Sequence, residues 1–161
     1  MLKVRGTGSY PYLHSDCAAH TIGKVTRMPV YELNQMHLAN VLGLSVPERY
    51  SYLVKRFADW EQCYGLRSEA GWAAAGDDNG NEFIPIWPHE RFAQLCMEGY
   101  WADCQPVVIT LDEWFEKLRP YLQKKRLGLA VFPLPQGGGV TVDLERFTAD
   151  LEEELSKIDG E

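Results

Sequence analysis

Tryptophan spacing is the feature that most constrains the fold of this chain. Tryptophans recur at gaps of twelve to fifteen residues between positions 60 and 114, and none lies elsewhere: Trp60, Trp72, Trp87, Trp101 and Trp114. Large rings at such intervals are typical of a small core built around aromatic side chains. The sequences around the five differ, so they do not mark a repeat. We expect Trp72, Trp87 and Trp114 in the core, while Trp60 and Trp101 end elements.

Length and composition limit the class of protein. The chain has 161 residues, 45% of them hydrophobic, which suits one domain with its own core and is too short for two. No apolar run approaches the roughly 20 residues of a membrane-spanning helix, so we expect a soluble protein. The four cysteines have no CxxC spacing. Because no secretory leader precedes them, reduced thiols in a cytoplasm are favoured.

Charge is unevenly distributed along the chain. The formal net charge is −7, and residues 143–161 carry eight acidic and two basic residues. An acidic surface repels phosphate backbones, so binding to nucleic acid is disfavoured. The run Glu152–Glu154 is typical of the solvated face of a helix.

The amino-terminal segment differs from the rest. Residues 1–27 carry four basic residues and one acidic residue, with neither the apolar stretch of a signal peptide nor the periodicity of a presequence. Periodic sequence begins at Met28. We therefore predict a weakly ordered extension over residues 1–27, with Met28 as an alternative start, and a single α+β domain over residues 28–161.

Helical spacing and capping residues predict about five helices. The first covers residues 33–43, between a cap at Asn34 and a stop at Gly43. Ser45 and Glu48 form a capping box for the second, whose apolar face contains Tyr50, Leu53, Val54 and Phe57. A short third helix runs from His89 to about Met97.

The last two helices are also marked by their caps. Thr110 and Glu113 form another capping box, although Pro120 should end or kink that helix near Arg119. Asp143 caps the final helix. Its apolar stripe contains Leu144, Phe147, Leu151, Leu155 and Ile158.

Short β-prone runs complete the predicted architecture. Residues 62–67, 71–75 and 82–87 indicate a three-strand antiparallel meander, in which Pro85 favours an edge or a bulge. Residues 105–109 form a further strand, and residues 127–132 and 139–142 form a hairpin. The fold class is therefore α+β, an antiparallel or mixed sheet packed with about five helices.

Two loops have superficial resemblances to ligand sites. The run DDNGNE at residues 77–82 has acidic residues like a calcium loop, but its glycine is misplaced and Pro88 stands where the closing glutamate is needed. A hairpin turn is favoured there. The triple glycine at Gly137–Gly139 lacks the lysine and hydroxyl residue of a phosphate-binding loop and leads into a strand. It is typical of a hairpin loop.

Thiol and histidine chemistry is also disfavoured. His89 and Cys96 share a helix face but lie about 10 Å apart, beyond hydrogen-bond reach. A structural zinc site of Cys63, Cys96, Cys104 and His37 lacks any ligand-pair spacing. We expect no metal, no cofactor and no catalytic residue set.

The chain resembles a bacterial family catalogued as domain of unknown function 2750. The resemblance covers roughly residues 30–155 and depends most on GWA at 71–73, DDNGNE at 77–82 and IWPH at 86–89. Tyr64 departs from the pattern, since a tryptophan is expected there. The resemblance implies a small bacterial cytoplasmic protein and brings no established catalytic residues.

Two functions remain open at this point. The favoured one is a non-catalytic interaction protein, such as an immunity-type inhibitor or a regulator, that binds a basic protein partner. Its candidate surface consists of Trp60, Asp77, Asp78, Glu82, His89 and Trp101, because tryptophan is enriched at binding hot spots. The alternative is a small enzyme or ligand-binding domain with a pocket near Asp77, Asp78, Glu82 and His89.

Overall fold

The computed structural model describes residues 35–135 and 139–160, together with the backbone of residues 3–5. The helices are α1 (Gln35–Leu42), α2 (Val46–Trp60), α3 (Glu90–Leu95), α4 (Leu111–Glu113), α5 (Arg119–Lys125) and α6 (Leu144–Asp159). The strands are β1 (Lys3–Arg5), β2 (Gln62–Ser68), β3 (Gly71–Trp72), β4 (Ala74–Gly76), β5 (Glu82–Ile86), β6 (Gln105–Thr110), β7 (Gly128–Val131) and β8 (Val140–Val142). The α+β class predicted from the sequence is confirmed.

Capping side chains set the helix starts as the sequence predicts. The boxes at Ser45 and Thr110 both form, with Glu48 and Glu113 completing them. Asp143 accepts a 2.7 Å hydrogen bond from the Arg146 N–H at the start of α6. Each cap satisfies a backbone donor that the first helical turn leaves without a partner.

The strands form two sheets instead of one. The larger has the order β1-β4-β5-β7-β8 and the smaller has the order β3-β2-β6. All pairings are antiparallel except that of β5 with β7. An antiparallel bridge between Tyr64 and Trp87 joins the two sheets.

The predicted three-strand meander needs one correction. Its neighbouring strands pair antiparallel, but the middle run breaks at Ala73, so that Trp72 pairs with Arg67 in the small sheet and Ala75 pairs with Phe83 in the large one. A bend at this point lets one segment serve both sheets. The meander is therefore divided between two layers.

Pro85 lies inside the larger sheet. It is in register with Ala130 of β7, while β4 reaches only Glu82 and Phe83. The Phe132 N–H donates to the Ile86 carbonyl, so alternation turns the Pro85 nitrogen away from β7. It faces the gap between β4 and the Tyr64–Trp87 bridge, where no ladder donor is required.

The helix that contains Pro120 does not end there. A π-helical turn, Trp114–Leu118, joins α4 to α5, and the Arg119 N–H donates to the Trp114 carbonyl. Proline lacks the N–H of a regular helix, and the change of hydrogen-bond register comes directly before it. The expected break at Arg119 is therefore a π turn within a continuous helix.

Two other helix boundaries differ from the predicted ones. The third helix ends at Leu95, short of Met97, and Gly99 begins a 3₁₀ turn. The apolar stripe of α6 is buried at Phe147 and Leu151, but Ile158 is 43% exposed. The last turn of α6 therefore extends beyond the core.

The tryptophans predicted for the core are buried. Trp72, Trp87 and Trp114 are each fully enclosed. Trp114 makes edge contacts with Phe57 at 6.3 Å and with Phe147 at 5.2 Å between ring centroids. Aromatic pairs of this geometry add specificity to the area that they bury.

Part of the predicted organisation lies outside the described residues. This holds for most of the predicted extension over residues 1–27, for the Asn34 cap and for Gly137 and Gly138. Within that extension, Lys3–Arg5 form β1 and pair with Ala74–Gly76 at an edge of the larger sheet. None of the described helices is long and apolar enough to cross a membrane.

Candidate functional site

A groove lies between α2, α6 and the edge strand β8. Its volume is about 540 Å³. The lining residues come from all three elements: Pro47, Tyr50, Ser51, Val54, Lys55, Val140, Thr141, Val142, Arg146, Asp150, Glu153 and Glu154. A shallower depression on the other side of α2 shares Pro47, Ser51 and Lys55 with it.

A hydrogen-bonded set of side chains ties the two helices together within the groove. The Tyr50 hydroxyl donates to Asp150 Oδ2 at 2.5 Å, and Arg146 Nε lies 3.4 Å from the same oxygen. Burial, followed by the hydrogen bond to Asp150, raises the pKa of Tyr50 above its ordinary value. Tyr50 therefore remains a neutral donor at physiological pH.

Carboxylates form the α6 wall of the groove. Besides Asp150, the wall contains Glu153 and Glu154, which lie 3.4 and 2.9 Å from Lys157 Nζ. Lys157 and Glu153 are exposed and Glu154 is half-buried, so these ion pairs contribute little to stability. The predicted solvated face of the Glu152–Glu154 run therefore borders a concavity.

Backbone groups of β8 also face the groove. In β7, the Phe132 N–H points to β5. Backbone groups alternate along a strand, so those of Leu129 and Val131 point to the other side, where they pair with Val142 and Val140 of β8. The N–H and C=O of Thr141 then point away from β7. Among the described strands β8 is the outermost of its sheet, and an outermost strand is where another extended chain can pair.

The predicted acidic site residues lie on the hairpin between β4 and β5. Asp77 accepts hydrogen bonds from the N–H groups of Asn79 and Asn81, both at 2.9 Å, and from the Asn81 side chain at 3.0 Å. The Asn81 side chain and these backbone donors lower the pKa of Asp77. Asp78 is exposed and Glu82 is half-buried. The hairpin turn predicted for this run is thus observed.

His89 does not join those carboxylates in a cavity. It is 5% exposed, and its Nδ1 accepts a 3.2 Å hydrogen bond from the Arg91 N–H, which caps α3. Neither of the two cavities described above is lined by His89, Asp77, Asp78 or Glu82. The pocket near Asp77, Asp78, Glu82 and His89 in the alternative enzyme hypothesis therefore stays a prediction, since neither of these two cavities contains them.

The two uncertain tryptophans have different environments. Trp101 is 4% exposed and makes an edge contact with Trp87 at 6.2 Å, so it belongs to the core. Trp60 is half-buried, and the Arg56 guanidinium lies 5.3 Å from its ring centroid. Of the candidate surface predicted from the sequence, Trp101 and His89 are therefore enclosed.

The described cysteines are enclosed free thiols. Cys63, Cys96 and Cys104 are all buried. Burial raises the pKa of Cys96 to about 12, and its Sγ donates to the Pro133 carbonyl at 3.4 Å. Within the described part of the chain, no group of three or more histidine, cysteine or acidic side chains could hold a metal ion.

Sequence reasoning missed the residues of the groove. Tyr50 appeared only as part of an apolar helix face, and Asp150 and Arg146 were not singled out. A faint signal was the placement of a phenol on the buried face of α2, since a buried hydroxyl requires a partner. The partner lies 100 residues away.

Comparison with known proteins gives one match. A search of curated proteins and a search of solved structures return none. The family model described as "Protein of unknown function (DUF2750)" matches residues 50–151. This range runs from Tyr50 to Leu151 and so includes most of the groove-lining residues. The chain therefore belongs to the DUF2750 family of proteins of unknown function.

Proposed function

We propose that this protein is a non-catalytic interaction module, a regulator or immunity-type inhibitor, that binds an extended basic segment of a protein partner. The observation that carries the proposal is the groove between α2, α6 and β8. It combines a concave surface, a carboxylate wall and the strand that ends the larger sheet within the described part of the chain. This surface differs from the one expected from the sequence around the β4–β5 hairpin.

Charge favours a basic occupant. Asp150, Glu153 and Glu154 face the groove, and the α6 segment, residues 144–159, contains six acidic and two basic residues. Complementary charges steer association and fix the orientation of the partner. Lys55 and Arg146 are the cations of the lining, and Arg146 is paired with Asp150. Lys55 therefore repels a basic segment and weakens its binding.

The strand edge favours an extended occupant. Thr141 is exposed and lines the groove, and the pairing of β7 with its neighbours implies that its backbone N–H and C=O point away from β7. A peptide that adds to such an edge gains main-chain hydrogen bonds, while side-chain contacts supply specificity. The carboxylates of α6 would then select lysine or arginine side chains of the added strand.

Affinity purification from the native cell tests the proposal. The full chain, the variant Glu153→Gln/Glu154→Gln and the control Asp112→Asn/Glu116→Gln serve as baits. Both double variants remove two negative charges from α-helical or π-helical positions, but the control residues line neither described cavity. We expect the full chain and the control to recover a stoichiometric partner. The groove variant should recover at least about tenfold less of it.

Two results would contradict this proposal. One is recovery of no stoichiometric protein under several growth conditions. The other is equal recovery of the same partner by the groove variant and the control, since the α6 carboxylates would then make no contact with it. Loss of folding is checked by thermal unfolding of each bait, which should change little because the substituted groups are at the surface.

A further inference from the structure

An arginine without a hydrogen-bonding partner is buried at the far end of β2. Arg67 is 7% exposed, and it pairs with Trp72 on one side and with Gln105 on the other. Its Nε and Nη1 atoms are inaccessible to solvent and have no hydrogen-bond partner. No carboxylate among the described residues forms an ion pair with it. Arginine keeps its charge inside proteins, so burial cannot be relieved by loss of a proton.

The neighbouring tryptophan adds a further unpaired donor. The guanidinium of Arg67 lies 5.7 Å from the centroid of the Trp72 ring, and the buried Nε1–H of Trp72 also has no hydrogen-bond partner. The π face of Trp72 attracts the guanidinium cation. It does not accept hydrogen bonds from the N–H groups that point outward in the guanidinium plane. Arg67 and Trp72 together therefore present buried donors with no acceptor.

We propose that Arg67, stacked on Trp72, is the binding site of an oxyanion, a carboxylate or a phosphate group. Guanidinium and indole N–H groups are donors only, so their ligand must be an acceptor, which excludes amines and metal cations. The guanidinium fork matches two oxygens of such a group. The low dielectric of a buried site strengthens the attraction between the two opposite charges.

Access to the site is through the tip of the guanidinium. Arg67 is 7% exposed while its Nε and Nη1 are enclosed, so we infer that an oxyanion makes its first contact at Nη2. Binding of a second oxygen at Nη1 would require the side chain to move outward, because Nη1 is enclosed. The site shares no residue with the groove between α2, α6 and β8, so it is independent of the proposed partner interaction.

Nuclear magnetic resonance titration of the full chain tests the proposal. Sodium phosphate and sodium acetate are added in turn at constant ionic strength, with sodium chloride as the reference. We expect saturable shifts of the Arg67 Nε–H and the Trp72 Nε1–H with at least one oxyanion and none with chloride. Trp114 is a second tryptophan with an enclosed, unpaired Nε1–H, and its signal should not move. The tighter anion identifies phosphate or carboxylate as the source.

Two variants separate binding from a purely structural role. Arg67→Lys keeps the charge but loses the planar fork, so we expect binding about tenfold weaker, which corresponds to about 1.4 kcal/mol. Trp72→Phe keeps the ring and removes one donor, and it serves if Arg67→Lys does not fold. Absence of any saturable shift in the folded full chain, or equal affinity in a folded variant, would overturn the proposal.

Discussion

At the residue scale, the tryptophans have distinct structural tasks that their spacing does not reveal. Trp114 contacts Phe57 of α2 and Phe147 of α6, and so it links these two helices to the π turn between α4 and α5. Trp87 donates its Nε1–H to the Pro133 carbonyl at 2.8 Å, which fixes the chain after β7. Trp60, in contrast, is half-buried at the end of α2.

Truncating these rings should therefore have unequal effects. Trp114→Ala leaves a cavity in the aromatic core, and we expect a loss of about 3–5 kcal/mol in the free energy of unfolding. Trp60→Ala removes a half-buried ring that contacts Arg56, with an expected loss of about 1 kcal/mol. Urea unfolding measures both. Equal losses would show that Trp114 does not occupy the core as described.

Buried thiols make the free energy of unfolding depend on pH in the alkaline range. The pKa of Cys96 is raised from 9.0 to about 12, mainly by burial and secondarily by Glu98. Because the folded-state pKa exceeds the unfolded-state value, the unfolded chain loses its proton first as pH rises. Stability contributed by the neutral thiol is therefore complete below pH 9 and is lost between pH 9 and 12.

Replacing Cys96 should reduce this loss. Cys96→Ala and Cys96→Ser both remove the titrating group, so we expect the fall in unfolding free energy between pH 9.5 and 11 to become less steep by about 1 kcal/mol per pH unit. Urea unfolding under reducing conditions at several pH values gives the slope. An unchanged slope in both variants would contradict a buried, neutral Cys96.

At the element scale, local signals in the sequence predict most boundaries. Capping boxes, periodicity and the Asp77–Asn81 turn depend on residues close in sequence, and the structure places them as expected. The break at Ala73 and the π turn before Pro120 were not predictable in this way. Each depends on tertiary pairing, of β4 with β5 and of Trp114 with its aromatic neighbours.

The two capping boxes differ in burial and should differ in strength. Thr110 and Glu113 are 7% and 5% exposed, whereas the contacts of Ser45 are exposed. We expect Thr110→Ala to cost about 2 kcal/mol, since a buried N–H loses its partner, and Ser45→Ala to cost about 0.5–1 kcal/mol. Thermal unfolding ranks them. A larger loss for Ser45→Ala would contradict the burial of the second box.

At the scale of the whole molecule, the candidate site exists only because distant elements meet. Tyr50 and Asp150 contact each other through the packing of α2 on α6, and β8 completes the groove. Periodicity predicts which face of each helix is apolar, but it does not predict which helices pack together. This explains why the sequence directed attention to the Asp77–Glu82 hairpin instead of the groove.

Removing the positive charge of Lys55 should have the opposite effect on partner affinity to removing the carboxylates. Lys55 lines the groove and opposes a basic occupant, so Lys55→Gln should tighten partner binding about threefold, while Glu153→Gln/Glu154→Gln weakens it. Affinities measured at low and high salt provide the check, because screening should diminish both effects. Weaker binding by Lys55→Gln would point to an acidic partner.

In the proposed complex, the partner occupies the groove between α2, α6 and β8. Hydrogen exchange of the protein, alone and bound to the partner recovered by affinity purification, tests it most directly. We predict slower exchange at Thr141 and along residues 50–55 of α2 in the complex, with residues 77–82 unchanged. Protection confined to residues 77–82, with Thr141 exchanging as in the free protein, would contradict it.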